Sequence, residues 1–195
     1  MMTVIGISGK IGVGKDYVAQ WLAGSLRANF PQRPVLLLAF ADMLKLVCLM
    51  NDPTIEYEHV FGEKTPASRL ALQNTGTEYR ERVGRDVWIR LLMYTMRMHA
   101  DRNHIGTFIV TDVRFREEAE ALKEIDALLI RVEAPDRNWT RLLANAKGDE
   151  SRAIEFSKHA SEVGLDDYAG FALTIDNWVG AAPLDEAAIL AALNK

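Results

Sequence analysis

Five short apolar runs are the feature that most limits how this chain can fold. They lie at residues 3–8, 35–40, 105–111, 127–132 and 171–175, and each is bounded by turn residues or charges. Continuous apolar runs indicate strands that are buried on both faces. Strands that alternate with helical stretches are typical of a parallel sheet. We therefore predict an α/β fold with three layers, in which helices cover both faces of a five-stranded parallel sheet.

Apolar residues at helical spacing predict the segments between the strands. Helices are expected at residues 15–29, 42–50, 67–75, 86–98, 115–125 and 184–193. Two intervals, 41–103 and 136–166, are too long for ordinary connections. Long excursions at one edge of a parallel sheet are where α/β enzymes build substrate-binding parts and lids. We predict one domain with a core at 1–40, 104–135 and 167–195, a substrate-binding insertion at 41–103 and a lid region at 136–166.

Composition excludes several classes of protein. The 195 residues are 49% hydrophobic and 26% charged, which is the balance of an ordinary globular protein. The net charge of −4 provides no protein-wide positive field, so no nucleic-acid partner is expected. Cys48 is the single cysteine, which excludes an intramolecular disulfide and suits a reducing cytoplasm. The longest apolar runs are far shorter than the ~20 residues that span a bilayer, so no membrane partner is expected.

A glycine-rich loop between the first predicted strand and helix carries the strongest chemical signal. Its residues Gly9, Lys10, Ile11, Gly12, Val13, Gly14 and Lys15 match the pattern G-x-x-x-x-G-K. Glycines let the backbone curl so that its N–H groups form an anion nest, and the N-terminus of the following helix adds further donors. Lys15 is expected to reach the β- and γ-phosphates of a nucleotide. We predict a nucleotide-binding segment over residues 9–17, from this loop through Asp16 and Tyr17.

Asp16 departs from the usual pattern, which places Ser or Thr after the lysine to bind Mg²⁺. A carboxylate is also a hard ligand for Mg²⁺, directly or through water. Asp112 is the second candidate, because it lies at the carboxyl end of the third predicted strand, where the crevice of a parallel sheet lies. We predict that Asp16 and Asp112 bind the Mg²⁺ ion, directly or through water. The alternative for Asp112 is that it caps the next helix.

Candidate residues for a second substrate lie in the insertion. Arg69 and Gln73 are four residues apart and share a helix face, where an arginine and an amide suit a phosphorylated substrate. Gly76 and Thr77 follow, and the glycine is interpreted as the end of that helix. The alternative for Arg69 and Gln73 is an exposed helical face.

Further candidates flank this helix. Asp42 and Lys45 share a face near the end of the second strand, although such pairs are often surface partners. Trp88 either stacks on a base or packs in the core. Arg114 can fork onto a phosphate or a base edge, or can pair with a nearby glutamate on the surface.

Several motifs, in order along the chain, resemble those of a known family. The triplet Gly14-Lys15-Asp16 resembles phage-type deoxynucleoside monophosphate kinases and animal-type phosphomevalonate kinases. The segments AFADMLK (39–45), RLALQNTGTE (69–78), DVW (86–88) and TDVRF (111–115) resemble motifs of the deoxynucleotide kinases. The segments HASE (159–162) and IDN (175–177) resemble their tail. The segments at 39–45, 69–78 and 86–88 favour the deoxynucleotide family. The tail motif and the D-x-R pattern of residues 112–114 also occur in phosphomevalonate kinases.

The resemblance implies a P-loop NTPase fold and an activity. ATP with Mg²⁺ would transfer a phosphoryl group to a deoxynucleoside monophosphate, giving ADP and the diphosphate. Catalytic roles would fall on Lys15, Asp16, Asp112 and two arginines of the lid, Arg137 and Arg141. The alternative for this arginine pair is a solvated helix.

Two competing functions remain at this stage, a phosphomevalonate-type kinase and a non-catalytic ATP-binding switch. Small nucleotides are the expected partners. Location in the cytoplasm, that of the host if the gene is phage-encoded, is expected. The sequence leaves the oligomeric state open, and the apolar stretch 91–98 offers a surface for a homodimer.

Overall fold

The computed structural model describes residues 2–177 and 185–193. In this part of the chain five strands form one parallel sheet. They are β1 (Thr3–Ser8), β2 (Val35–Leu38), β3 (Thr107–Val113), β4 (Leu128–Glu133) and β5 (Leu173–Asp176). The order across the sheet is β2-β3-β1-β4-β5, and every adjacent pair is parallel. The predicted fold class is therefore confirmed.

The central strand shows why continuous apolar runs mark this sheet. Five of the six residues of β1 are buried. Ile5 lies opposite Ile109 of β3 on one side and Leu128 of β4 on the other. Since helices cover both faces, residues that point to either face are apolar, and no alternation with polar residues appears.

Ten helices occur within the described residues. They are α1 (Lys15–Asn29), α2 (Phe40–Asn51), α3 (Glu58–Phe61), α4 (Pro66–Arg82), α5 (Val87–Asn103), α6 (Arg116–Lys123), α7 (Pro135–Asn145), α8 (Glu150–Ser157), α9 (Ala160–Val163) and α10 (Glu186–Leu193). Phe108 and Leu92 belong to a core on the face that carries α2, α5 and α6. Ile7, Val18 and Ile189 belong to the core on the opposite face, which carries α1 and α10. Helices α2–α5 lie between β2 and β3, and α7–α9 lie between β4 and β5.

The helix α4 is longer than predicted. It begins after Thr65, whose side chain accepts a hydrogen bond from the N–H of Ser68, and it continues to Arg82. The interpretation of Gly76 and Thr77 as its end is wrong. A glycine inside a helix costs only about 1 kcal/mol relative to alanine. Gly76 is buried against Leu44 of α2, and this tertiary packing keeps the helix intact.

Strand and helix boundaries near the carboxyl edge of the sheet also differ from the prediction. The strand β3 extends to Val113, so Asp112 lies inside it and not after it. The strand β2 ends at Leu38, and α2 already begins at Phe40. None of the described helices is long and apolar enough to cross a membrane.

Candidate active site

The glycine loop lies between β1 and α1. Gly12 and Gly14 have φ angles of +80° and +90°, in the left-handed region that favours glycine. The backbone therefore turns sharply, and the carbonyl of Gly14 accepts the first helical hydrogen bond of α1, from the N–H of Val18 at 3.1 Å. The N-terminus of α1 thus points into the curl of the loop, as an anion nest requires.

Lys15 is enclosed by this loop. Its Nζ donates hydrogen bonds to the carbonyl oxygens of Gly9, at 2.8 Å, and Lys10, at 2.9 Å. Burial, and then the nearby charge of Arg114, lower the pKa of Lys15 to about 8. The ammonium therefore remains mostly charged at neutral pH. It lies inside the glycine loop that would bind an anion.

Three side chains from distant parts of the chain hold the loop. Asn138 of α7 donates to the carbonyl of Ile11, and Asn177, after β5, donates to the carbonyl of Val13, both at 2.8 Å. The N–H of Ile11 donates to Glu162 of α9, also at 2.8 Å. Glu162 lies in the segment HASE (159–162) and Asn177 in IDN (175–177), which both resemble motifs of the kinase families. The sequence therefore carried a signal for these two residues. No local pattern distinguishes Asn138.

Asp112 connects the sheet to the insertion. Its two carboxylate oxygens accept hydrogen bonds from the N–H groups of Phe40, at 2.7 Å, and Ala41, at 2.9 Å. Asp112 therefore caps the start of α2, 72 residues before it in the chain, and not the helix that follows it. Burial raises the pKa of this carboxyl, and the two backbone hydrogen bonds oppose that effect.

A cleft of about 780 Å³ opens above the loop. The residues that line it come from the loop, from the end of β3 and from α7: Ile11, Gly12, Gly14, Lys15, Asp16, Thr111, Asp112, Arg114, Asp136, Arg137, Thr140, Arg141 and Ala144. The cleft thus brings together most of the predicted phosphate, metal and lid residues, although they are separated by more than 120 positions.

The helix α7 lies directly on the loop. A Cβ atom at Gly12 would be 2.6 Å from the Cβ of Arg141 and 2.9 Å from the carbonyl oxygen of Arg137. Arg137 also donates from its guanidinium to the carbonyl of Asn177, at 3.0 Å. The two predicted lid arginines therefore flank the site where the loop would hold phosphates.

The donor set of this cleft fits Mg²⁺. Asp16 and Asp112 both line it and carry carboxylates; since both oxygens of Asp112 already accept backbone hydrogen bonds, Asp112 would act on Mg²⁺ with its remaining lone pairs or through a bound water. Within the described ranges no group of three or more His, Cys, Asp or Glu side chains forms a ready-made metal site. Two carboxylates are enough for Mg²⁺, because this ion commonly takes one or two protein carboxylates and completes its shell with water and substrate phosphates.

A second cavity, of about 700 Å³, is lined by Phe115, the residue that follows Arg114 of the first cleft. It is lined by Thr77, Arg80, Glu81, Arg85, Asp86, Trp88, Ile89, Phe115, Glu117 and Glu118. The guanidinium of Arg80 lies 6.0 Å from the centre of the Phe115 ring. The lining thus combines charged groups with an aromatic ring.

Trp88 contributes to this second cavity from inside the core. Its side chain is 4% exposed and packs 5.8 Å, centre to centre, from the ring of Tyr79. Its Nε1–H is buried without a hydrogen-bond partner in the part of the chain that the structure describes. Of the two interpretations of Trp88, this conformation favours core packing over an open stacking surface.

Glu118 lines the second cavity and holds the backbone next to Arg114. Its Oε2 accepts hydrogen bonds from the backbone N–H groups of Arg114, at 2.8 Å, and Phe115, at 3.1 Å. Burial raises the pKa of Glu118 to about 7, although these two hydrogen bonds oppose the rise. The side chain therefore fixes the backbone at Arg114 and Phe115, and its charge changes near neutral pH.

The remaining predicted substrate residues form a group of charges at the edge of the insertion. Lys45 pairs with Asp42 at 2.8 Å, and its Nζ lies 4.8 Å from the centre of the Phe61 ring. Partial burial, and then the charges of Lys45, Arg69 and Arg114, lower the pKa of Lys64. These cations therefore influence one another across the insertion. Lys64 was not among the substrate residues predicted from the sequence.

Several predicted residues lie outside both cavities. Arg69 and Gln73 are exposed on α4 and line neither cavity described above. Tyr17 is 61% exposed and also lines neither. Lys10 pairs with Asp166 at 2.9 Å on the outside of the loop, and Val13 packs in the core.

Comparisons with known proteins agree with this fold. No family model matches the chain. The solved structure of TT1252 from Thermus thermophilus has a TM-score of 0.54 and 21% identity over 97% of both chains. An uncharacterized protein from Eubacterium ventriosum has a TM-score of 0.50 and 14% identity over 100% of this chain and 99% of that one. These two likenesses concern the fold alone. The P-loop NTPase fold is indicated by the glycine loop, which matches G-x-x-x-x-G-K and lies between the parallel strand β1 and the helix α1, as that motif requires.

A viral protein shares part of the sequence. It comes from Acanthamoeba polyphaga mimivirus, and its name assigns it provisionally to the deoxynucleotide monophosphate kinases. It is 27% identical over 157 residues, which cover 69% of this chain and 75% of that protein.

Proposed function

We propose that this protein is a kinase that uses ATP and Mg²⁺ to phosphorylate a deoxynucleoside monophosphate. The observation that carries the proposal is the convergence in one cleft of Lys15, two carboxylates and arginines from two separate segments. A cleft with this charge pattern suits two phosphorylated substrates that must approach each other. The name of the viral relative supports the same activity.

The residues of the cleft divide between the two substrates. The loop amides and Lys15 would hold the donor phosphates, and Arg137 and Arg141 would spread the charge of the transferred group. Arg114 lines the same cleft just after the end of β3 and would hold the phosphate of the acceptor. Mg²⁺, held by Asp16 and Asp112, would neutralise charge on the donor phosphates.

No general base is required. A monophosphate is already anionic at neutral pH, so no proton has to be removed from the attacking oxygen. The enzyme has to align the two substrates and exclude water from the cleft. The position of α7 directly above the loop suits such exclusion.

The second cavity favours a nucleotide over an isoprenoid acceptor. It adjoins Arg114 through Phe115, and its lining contains arginine, threonine and carboxyl groups. A nucleobase is a flat ring with hydrogen-bond donors and acceptors, and such a ring can use this lining. A phosphomevalonate acceptor has no ring to occupy this cavity, so its exposed polar lining would stay in contact with water and would add nothing to binding.

The decisive experiment is an acceptor panel. Release of ADP is measured by a coupled assay with ATP and Mg²⁺, using every deoxy- and ribonucleoside monophosphate and phosphomevalonate, with a reaction lacking acceptor as control. Release that depends on deoxynucleoside monophosphates supports the proposal. Release that depends on phosphomevalonate instead would show a phosphomevalonate-type kinase. Slow release that no acceptor changes would show an ATP-binding switch.

A further inference from the structure

The segment 159–166 has no role in the transfer proposed above, yet it is built against the glycine loop. It starts at His159, whose Nδ1 accepts a hydrogen bond from the N–H of Ser161 at 3.2 Å. The carbonyl of His159 accepts the N–H of Glu162 at 2.8 Å. His159 therefore caps the N-terminus of α9 and fixes the direction in which the side chain of Glu162 points away from the helix.

Gly164 brings the same segment close to the acceptor side of the cleft. A Cβ atom at this position would lie 2.9 Å from the carbonyl oxygen of Arg114 and 2.7 Å from that of Ala160. A side chain here would therefore push the end of α9 away from Arg114. This close approach allows the side chain of Glu162 to reach both the glycine loop and Arg114.

The carboxylate of Glu162 has a different partner at each end. Its Oε2 accepts the N–H of Ile11 in the loop at 2.8 Å, and its Oε1 lies 3.7 Å from the guanidinium of Arg114. The side chain is 6% exposed. A buried carboxylate is retained at low cost only when it is paired and hydrogen-bonded, and both conditions hold here.

We propose that Glu162 is a positioning residue that sets the guanidinium of Arg114 for the acceptor and fixes its distance from the glycine loop. The inference rests on the proposed phosphoryl transfer. Arg114 has a long, flexible side chain and is 34% exposed, so it would otherwise sample several rotamers. In-line transfer requires the acceptor phosphate to be held close to its productive position, because a displacement of about 1 Å can cost roughly 100-fold in rate.

The test is the variant Glu162→Gln. The amide oxygen can still accept the N–H of Ile11, whereas the negative charge next to Arg114 is lost. We expect the KM for the best deoxynucleoside monophosphate to rise about tenfold, which is the size of a lost charge-assisted contact. The KM for ATP should change much less than the KM for the acceptor, since the contact with the loop persists and the charge of Glu162 has only a secondary effect on Lys15.

A second background separates positioning from simple loss of structure. In Arg114→Ala, the additional change Glu162→Gln should leave the acceptor KM unaltered, because the residue through which Glu162 acts is gone. If the effect of Glu162→Gln is equally large in this background, or if the single variant leaves the acceptor KM unchanged or lowers it, the inference is overturned. If Glu162→Gln does not fold, Glu162→Asp keeps the charge but is too short to reach both partners, and the same rise in acceptor KM is expected.

Asp166→Asn is the matched control. Asp166 belongs to the same segment and pairs with Lys10 at 2.9 Å and with Arg131 at 3.1 Å, but no contact joins it to Arg114 in the described structure. Its acceptor KM should equal that of the wild type. If the wild-type protein transfers phosphate to no acceptor, the proposed function fails and this inference fails with it. Wild-type turnover with an acceptor KM that Glu162→Gln leaves unchanged overturns this inference alone.

Discussion

The side-chain amide of Asn177 donates a hydrogen bond to the carbonyl of Val13 at 2.8 Å, although the two residues are 164 positions apart. The same amide nitrogen lies so close to Gly14 that a Cβ atom there would overlap it. The end of β5 thus supports the glycine loop from below, while α7 covers it from above.

The first prediction concerns this hydrogen bond. Asn177→Asp replaces the donor with a carboxylate, which repels both the carbonyl of Val13 and the phosphates of a bound nucleotide. We expect the Kd for ATP with Mg²⁺, measured by calorimetry, to rise at least about tenfold. Asn177→Ala, which only removes the donor, should have a smaller effect. Equal affinity of wild type and Asn177→Asp would show that the amide does not support the nucleotide site.

The second prediction tests the contact between the loop and α7. Gly12→Ala places a Cβ at φ +80°, 2.6 Å from the Cβ of Arg141. Gly148→Ala is the matched control, since its φ of +83° is nearly the same and no atom lies within 4 Å of the added Cβ. Both variants should lose about 1–2 kcal/mol of stability from backbone strain. Only Gly12→Ala should also lose most of its turnover, because α7 has to move off the loop.

The third prediction concerns Lys15. Lys15→Ala removes the buried ammonium from the loop, and we expect kcat to fall by about 10²–10³. Lys123→Ala, at an exposed position on α6, should retain wild-type kcat. Thermal unfolding establishes that both variants are folded. Near-normal turnover of a folded Lys15→Ala protein would contradict the role of the loop.

The fourth prediction assigns Arg114 to the acceptor. Arg114→Ala should raise the KM for the acceptor by at least about tenfold, with a much smaller change in the KM for ATP. Arg116→Ala is the control, because Arg116 is two residues away, pairs with Asp167 at 3.0 Å and does not line the cleft. An acceptor KM that is the same in Arg114→Ala and Arg116→Ala would remove Arg114 from the acceptor site.

The fifth prediction concerns pH and stability. The pKa of Glu118 is about 7 in the folded protein and about 4.5 when the side chain is exposed. Between these values the native state binds more protons than the unfolded state, so the free energy of unfolding falls as the pH rises. Between about pH 5 and about pH 8 the wild type should lose roughly 2 kcal/mol relative to Glu118→Gln, which remains neutral.

Denaturant unfolding at a series of pH values measures this difference. Glu117→Gln, at the exposed neighbouring position, should follow the wild type at every pH. A wild-type curve that runs parallel to that of Glu118→Gln would show that the carboxyl of Glu118 does not titrate in this range.

The sequence predicted the elements whose signals are local. A continuous apolar run such as Thr3–Ser8 indicates a buried strand wherever it occurs, and a glycine-rich loop between such a strand and a helix has few other conformations available. The parallel sheet and the position of Lys15 followed from these signals. Asp112 and Arg114 could also be placed at the carboxyl edge of the sheet, because strand direction fixes that edge.

Interactions between distant segments were decided by the tertiary structure alone. Gly76 has the local character of a helix end, yet packing against Leu44 carries α4 six residues further. The partners of Asp112 are two backbone N–H groups about 70 positions earlier, and one of the two partners of Glu162 is a backbone N–H 151 positions earlier. Backbone groups carry no sequence signal, so no pattern identifies them as partners. The sequence by itself thus determined which segments form the sheet and the loop, while the folded chain determined which side chains face each other across the cleft.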